Sequence, residues 1–269
     1  MTPTASLPMY NLPEMRAVNA AFWDALRGLL AEGGLSDLPE TLLFERLPVP
    51  DGIGPEVLFS QTCGYPLVTI FDGQAVMLGV PCYDAEGCDG PTHCGIFVVA
   101  AESPARTLAD LKGTRFVFNS IRSNSGMNLP RRALADIAGG RPFFASVTAT
   151  GSHPGNLERV ARGEADATPV DNVTYAFWCR HRPALAARTR VLAPTPPSPA
   201  IPFVTSVATP PATVALLRDS LRRIAREPRF AAVRAGLLIK DIVEVPDARY
   251  RALLDYEREA IALGYPALA

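Results

Sequence analysis

The sequence predicts an α/β protein of two lobes, each a sheet flanked by helices, on three observations. Its 269 residues correspond to about two domains at roughly 150 residues each. From Thr107 onward, strand and helix patterns alternate regularly, which argues for a mostly parallel sheet covered by helices. Between residues 194 and 202, five of nine residues are proline. Such a stretch cannot be regular helix or central strand and reads as a stiff connector. The expected division is a discontinuous first lobe, residues 1–101 plus 202–269, with residues 102–201 inserted as the second. Two crossings between lobes imply a hinge and a cleft, a natural place for a ligand.

Each element has its own signal. Ala5 to Tyr10 is a short apolar run that reads as a strand. Asn11 and Glu14 have the spacing of a capping box, opening a helix that ends near Gly33-Gly34 with Met15, Val18, Phe22, Leu26 and Leu29 on one face. Thr41 to Leu47 and Glu56 to Gln61 follow as strands, the second fully apolar at Val57-Leu58-Phe59. Val68 to Pro81 reads as two strands about an Asp72-Gly73 turn. A loop rich in Gly, Asp and Cys, Pro81 to Gly95, leads to the strand Ile96 to Ala100.

Thr107 and Asp110 make a second capping box, and the short helix they open stops at Gly113. Next come a strand at Arg115 to Asn119, a helix at Ser125 to Ala138 and a strand at Phe143 to Thr150. A helix at Asn156 to Arg162 and a strand at Ala165 to Val170 complete the alternation. After the proline segment, Phe203 to Ala208 is a strand and Thr209-Pro210 opens a helix whose buried face is Val214, Leu217, Leu221 and Ile224. The final helix runs from Asp247 to Leu263.

Composition narrows the function classes. With 48% hydrophobic and 20% charged residues, the chain has ample material for packed cores and is no disordered polyelectrolyte. A net charge of −1 gives no global basic field for nucleic acid or anionic lipid, so a bound anion needs a local site. No stretch approaches the roughly 18 apolar residues of a membrane span, so direct membrane insertion is not expected. Met1 to Tyr10 lacks a charged n-region and an apolar h-region. The expectation is a cytoplasmic chain as written, or a periplasmic one from which a signal has been removed.

Three segments could carry chemistry. The run Asn119-Ser120-Ile121-Arg122-Ser123-Asn124-Ser125-Gly126 follows a buried strand and opens a helix. Free N–H groups and the positive dipole end at a helix start form an anion site, and Ser120, Ser123, Asn124 and Ser125 add uncharged donors there. One of these residues acting as a plain N-cap is the competing explanation. His153, after Gly151-Ser152, sits at another helix start, where the dipole favours a neutral imidazole; a surface histidine is the alternative. Asp171 ends a strand at the sheet edge where ligands bind in open α/β folds, or it caps the segment Asn172 to Trp178. Asp166 is expected to serve turn or capping chemistry.

The five cysteines are an odd number, which excludes a full disulfide framework. Cys82, Cys88, His93 and Cys94 could bind a metal, although their spacing does not match the common structural zinc sites. Alternatively Cys82 and Cys88 form a short bridge, or the thiols stay reduced. Three histidines and no G-x-S-x-G pattern leave no evident triad, and no Walker or dinucleotide fingerprint is present, so neither catalysis nor a cofactor is expected.

At this point the chain resembles the substrate-binding proteins of phosphate/phosphonate ABC transporters, with their type II periplasmic-binding-protein fold. The resemblance rests on Ser60-Gln61-Thr62-Cys63-Gly64-Tyr65-Pro66-Leu67, Thr107 through Gly113, Ser123-Asn124-Ser125-Gly126, Gly151-Ser152-His153, and Gly163-Glu164-Ala165-Asp166-Ala167 through Asp171. It spans residues 5 to 262, and the order and spacing of the five motifs together are specific. It implies non-catalytic binding of phosphate or an organophosphonate between the lobes, with the anionic group on Ser120, Ser123, Asn124 and Ser125. It places Tyr65 and Tyr10 on the opposing lobe, His153 and Asp171 on the inserted one, and a transporter permease as partner. The rival expectations are a cytoplasmic sensor or scavenger, and a metal-dependent enzyme using the Cys82/Cys88/His93/Cys94 loop.

Overall fold

The computed structural model describes residues 2–47 and 51–269. In chain order the first elements are β1 (Thr4–Ala5), α1 (Arg16–Glu32), β2 (Val57–Gln61), α2 (Gly64–Leu67) and β3 (Ala75–Tyr83). Then come β4 (Thr92–Ala100), β5 (Arg115–Phe118), α3 (Leu129–Ala138), β6 (Ser146–Ala149), α4 (His153–Ala161) and β7 (Ala167–Asp171). α5 (Asn172–His181), α6 (Pro183–Ala186), β8 (Thr189–Pro199) and β9 (Phe203–Ser206) follow. The chain ends with α7 (Pro211–Arg226), α8 (Ala231–Gly236), β10 (Ile239–Val243), α9 (Ala248–Arg251) and α10 (Leu253–Ala262).

These elements form two compact α/β units. The first comprises the chain to Asp84, Asp89–Pro91 and Pro199–Tyr250; the second comprises Ala85–Cys88, Thr92–Ser198 and Arg251–Ala269. The expected boundaries at 101/102 and 201/202 differ from this division. Strand β4 pairs along its length with β7 and therefore belongs to the second unit. The last 19 residues join it too, because α10 packs on α3, where Arg132 meets Glu259 at 2.6 Å.

The first unit holds a five-stranded sheet in the order β1-β2-β9-β3-β10. β1 and β2 are parallel, and the β2–β9, β9–β3 and β3–β10 pairs are antiparallel. All five residues of β2 are buried, as expected of an interior strand covered on both faces. Phe22 and Trp23 of α1 lie on Phe59 of β2, with Phe203 of β9 completing the stack at 5.2 to 6.2 Å between centroids. The second unit's sheet has the order β6-β5-β7-β4-β8. Its β6, β5 and β7 are parallel, as the alternation predicts, and β4 runs antiparallel to β7.

Several local expectations are corrected. The first strand is only two residues long. Asn11 and Glu14 do not close a capping box. A 3₁₀ turn at Pro13–Met15 precedes α1, and the Asn11 amide donates to the Phe44 carbonyl instead. Residues 41–47 are irregular rather than extended, tied to β1 by Leu43 N–H donating to the Ala5 carbonyl. Residues 68–74 form turns after α2, so only the second half of the expected strand pair exists, and β3 and β4 both reach into the region expected to be loop. The proline-rich connector is the second half of β8. Its missing N–H groups restrict it to the sheet margin, where it lies. The final helix is broken between α9 and α10, where the chain passes from the first unit to the second. Strand β10 was not expected; with Lys240 and Asp241 inside it, only Ile239 and Ile242 are buried.

The Thr107–Asp110 capping box is present, with the Asp110 carboxylate accepting from Thr107 N–H at 2.8 Å. The predicted apolar face of α7 is buried at Val214, Leu217, Leu221 and Ile224.

Candidate functional site

The serine-rich segment becomes a wide turn fused to a helix. After β5, Asn124–Asn128 make one π-type turn that runs directly into α3. Such wide turns inside helices recur at functional sites. Ser123 is its N-cap, in extended conformation, and its hydroxyl accepts from the Gly126 N–H at 2.9 Å. Thus one member of the run does the capping that the bland reading requires. Ser120 accepts from Arg122 N–H at 3.1 Å, and the Arg122 side chain is exposed.

Asn124 is fully buried and engaged. Its amide donates to the Ser198 hydroxyl at 2.8 Å and its oxygen accepts from Asn128 at 3.3 Å. Asn128 in turn accepts from Arg131 at 2.8 Å and donates to the Leu253 carbonyl. Asn124 therefore anchors the turn from below. Ser125 differs: among the described residues no protein group takes its hydroxyl or its N–H, although the residue is 97% buried by its 3% exposure. A donor left open at a helix start is available to a ligand oxygen.

Two glycines let this turn settle. A Cβ on Gly126 would lie 1.8 Å from the Asn119 side-chain oxygen, and one on Gly95 of β4 would lie 3.1 Å from the Ser125 carbonyl. A side chain at Gly126 would displace Asn119, and one at Gly95 would crowd Thr195 and the Ser125 carbonyl. The Asn119 Oδ1 atom itself is enclosed without a hydrogen-bond donor.

His153 is the first residue of α4, next to the Ser152 N-cap. Its Nδ1 is enclosed without a well-aligned partner, and its ring lies against the Pro169 backbone. Burial pushes its pKa down to about 4, against the pull of Asp171 and of the Pro169 backbone. The imidazole is neutral at pH 7, as the helix start predicts, with desolvation the larger cause. Asp171, at the end of β7, is 2% exposed and caps α5 by accepting from Thr174 N–H at 2.9 Å. Its other oxygen lies 2.6 Å from Nδ1 of His93, a buried ion-pair contact rather than a linear hydrogen bond. Burial alone would push the carboxyl up. His93, the Thr174 N–H and His153 outweigh it and hold the group below the usual carboxylate range.

His93 is the residue that sequence reasoning missed as part of this cluster, having weighed it only as a metal ligand. On β4 it shares a face with Gly95, which pairs with Asp171. Among the described residues, no three His, Cys, Asp or Glu side chains converge as metal ligands. All five cysteines are free, so the Cys82–Cys88 bridge is not formed. Cys94 is a thiol whose pKa is pushed up to about 11, by burial first and then by Asp171 and Cys88.

Tyr10 and Tyr65 belong to the first unit and are both buried there. The Tyr10 ring meets Tyr83 edge-on at 5.3 Å. Tyr65 sits in α2, where its carbonyl accepts from the Thr69 hydroxyl at 2.8 Å. Asp166 takes the structural part expected of it, in a 2.7 Å ion pair with Arg115.

Comparison with known proteins now has a site to refer to. Residues 60–250 match the family described as the periplasmic substrate-binding protein of the phosphonate ABC transporter. No curated protein sequence matches. Among solved structures, the binding-protein component of an ABC phosphonate transporter from Pseudomonas aeruginosa superposes with a TM-score of 0.74 at 15% identity, covering 98% of this chain and 89% of that one. XAC2383 from Xanthomonas citri, bound to ATP, gives 0.69 at 16% identity over 98% of both chains. PhnD1 from Prochlorococcus marinus, in complex with methylphosphonate, gives 0.63 at 16% identity over 75% of this chain and 77% of that one.

Proposed function

We propose what this chain, which belongs to the periplasmic substrate-binding protein family of phosphonate ABC transporters, binds and with which residues. The ligand is a small tetrahedral oxyanion, a phosphonate or phosphate. It is held without chemical change on the turn Ser120 and Ser123–Ser125 of the second unit, for delivery to a transporter permease outside the cytoplasm. The observation that carries this reading is the unspent hydroxyl and N–H of Ser125 at a helix start whose neighbours are all engaged. Hydrogen bonds to a charged ligand are worth about 1.5–3 kcal/mol each, so uncharged donors suffice in a chain without a basic field.

The two ligand-bound structures above share only a phosphorus oxyanion, since methylphosphonate and ATP differ in everything else. The shared group supports the oxyanion rather than any one molecule. Tyr10, Tyr65, His153 and Asp171 remain the proposed determinants of the rest of the ligand. No helix among the described residues is long and apolar enough to cross a membrane.

Calorimetric titration with methylphosphonate, aminoethylphosphonate, phosphate, sulfate and ATP tests the reading. Saturable binding of at least one phosphorus oxyanion, weakened roughly ten- to a hundredfold in S125A, is expected. Binding that S125A leaves untouched would reduce the turn to a helix cap.

A further inference from the structure

A carboxylate is an awkward neighbour for an anion. Asp171 pairs with Gly95 in the β4–β7 ladder, and Gly95 lies close against the Ser125 carbonyl. An uncompensated buried charge there repels a bound oxyanion through protein rather than water, where screening is weak. The groups that face Asp171 are few. From α4 comes His153, which is neutral; from β4 come the protonated Cys94 thiol and His93; from α5 comes only the Thr174 N–H. Of these, His93 meets the carboxylate most directly: its Nδ1 lies 2.6 Å from Asp171 Oδ2, with both side chains no more than 3% exposed.

We propose that His93 pairs with Asp171 as an imidazolium and so sets the charge class of ligand that the serine turn accepts. Paired with His93, Asp171 presents no net charge, and a doubly charged tetrahedral oxyanion is tolerated beside it. Without His93 the turn takes only ligands that bring a proton or an ammonium to the carboxylate. His93 is thus a positioning and charge-balancing residue that acts through Asp171, and the inference rests on the oxyanion reading given above.

The test compares methylphosphonate with aminoethylphosphonate, by calorimetry at pH 7, on wild type, H93Q and the double variant H93Q/D171N. H93Q should weaken methylphosphonate binding at least tenfold and aminoethylphosphonate binding less than threefold. Removing the carboxylate as well should recover most of the methylphosphonate loss. Equal losses for the two ligands, or no rescue in the double variant, would make His93 a packing residue and overturn the proposal. If circular dichroism shows H93Q unfolded, the double variant decides: methylphosphonate affinity within tenfold of wild type supports the proposal and absent binding overturns it. Wild-type protein that binds neither probe removes the oxyanion reading together with this one. Wild-type binding that S125A weakens and H93Q leaves unchanged overturns this one alone.

Discussion

The two units spend their buried polar groups differently. In the first, interior hydroxyls and amides close on one another or on the backbone: Ser6 meets Ser60 at 2.8 Å, Asn19 donates to the Tyr10 carbonyl at 3.0 Å, and Thr205 reaches the Val57 carbonyl. Around them Phe22, Trp23, Phe59 and Phe203 form a stacked aromatic core. In the second unit, His153 Nδ1, Asn119 Oδ1 and Asn156 Nδ2 are enclosed without partners, and no protein group takes the Ser125 hydroxyl among the described residues. Natural interiors satisfy the great majority of such groups. In the first unit the enclosed atoms without partners are mostly arginine Nε groups and Asn11 Oδ1, whereas in the second they include the groups around the serine turn.

The largest effect should come from emptying the aromatic core. Phe59→Ala removes a fully buried ring and should cost about 3–5 kcal/mol in urea denaturation. A cost below about 1 kcal/mol would mean that the first unit is not held by this stack. On the other side of the comparison, Ser125→Ala should lower affinity for the bound oxyanion by about 1.5–3 kcal/mol, roughly ten- to a hundredfold. It should leave the unliganded protein about as stable as before, because no protein hydrogen bond is lost. A drop in unliganded Tm would place Ser125 among structural groups like Ser6.

The pH dependence is of similar or smaller size. The His153 pKa is held at about 4 in the folded chain, below its ordinary 6.5. The unfolded chain therefore takes up a proton between these values that the folded chain refuses. Stability is full above about pH 6.5 and declines as pH falls toward 4, by about 1–3 kcal/mol. The Asp171 contribution is present above the ordinary carboxylate range and is lost only at lower pH, as that group titrates in the fold. His153→Asn should flatten the decline between pH 6.5 and 4 when denaturation midpoints are measured across that range. An unchanged slope would assign the acid lability elsewhere. The smallest effect is expected for the cap: Ser123→Ala should destabilise by about 1 kcal/mol even without ligand, read as a shift in the urea midpoint.

The fold was legible where periodicity and capping chemistry agree. β2, the Thr107 box, the parallel strands β5 to β7 and the face of α7 all carry local signals that packing reinforces. Residues 41–47 and 68–74 misled because apolar content alone does not distinguish a strand from a turn held by contacts far along the chain. The helix cap at Asn11 failed for a related reason, since its amide found the Phe44 carbonyl 33 residues away. At the site, the serine turn and the engagement of Asp171 were both readable as alternatives: capping and binding. The structure assigns capping to Ser123 and Asp171 and leaves Ser125 unspent. His93 was invisible as a partner of Asp171, because antiparallel pairing between strands more than 70 residues apart leaves no trace in local spacing.

Strand β8 has a consequence for how the protein behaves at high concentration. Four of its eleven residues, Pro194, Pro196, Pro197 and Pro199, bring no N–H to the sheet. Between them Thr195 and Ser198 turn inward, accepting from the Gly95 N–H and from Asn124. The outer margin is left with too few donors to recruit a strand from another molecule. The same prolines that argue against a strand in the sequence thus guard this sheet against edge-to-edge aggregation, while the residues between them brace the serine turn.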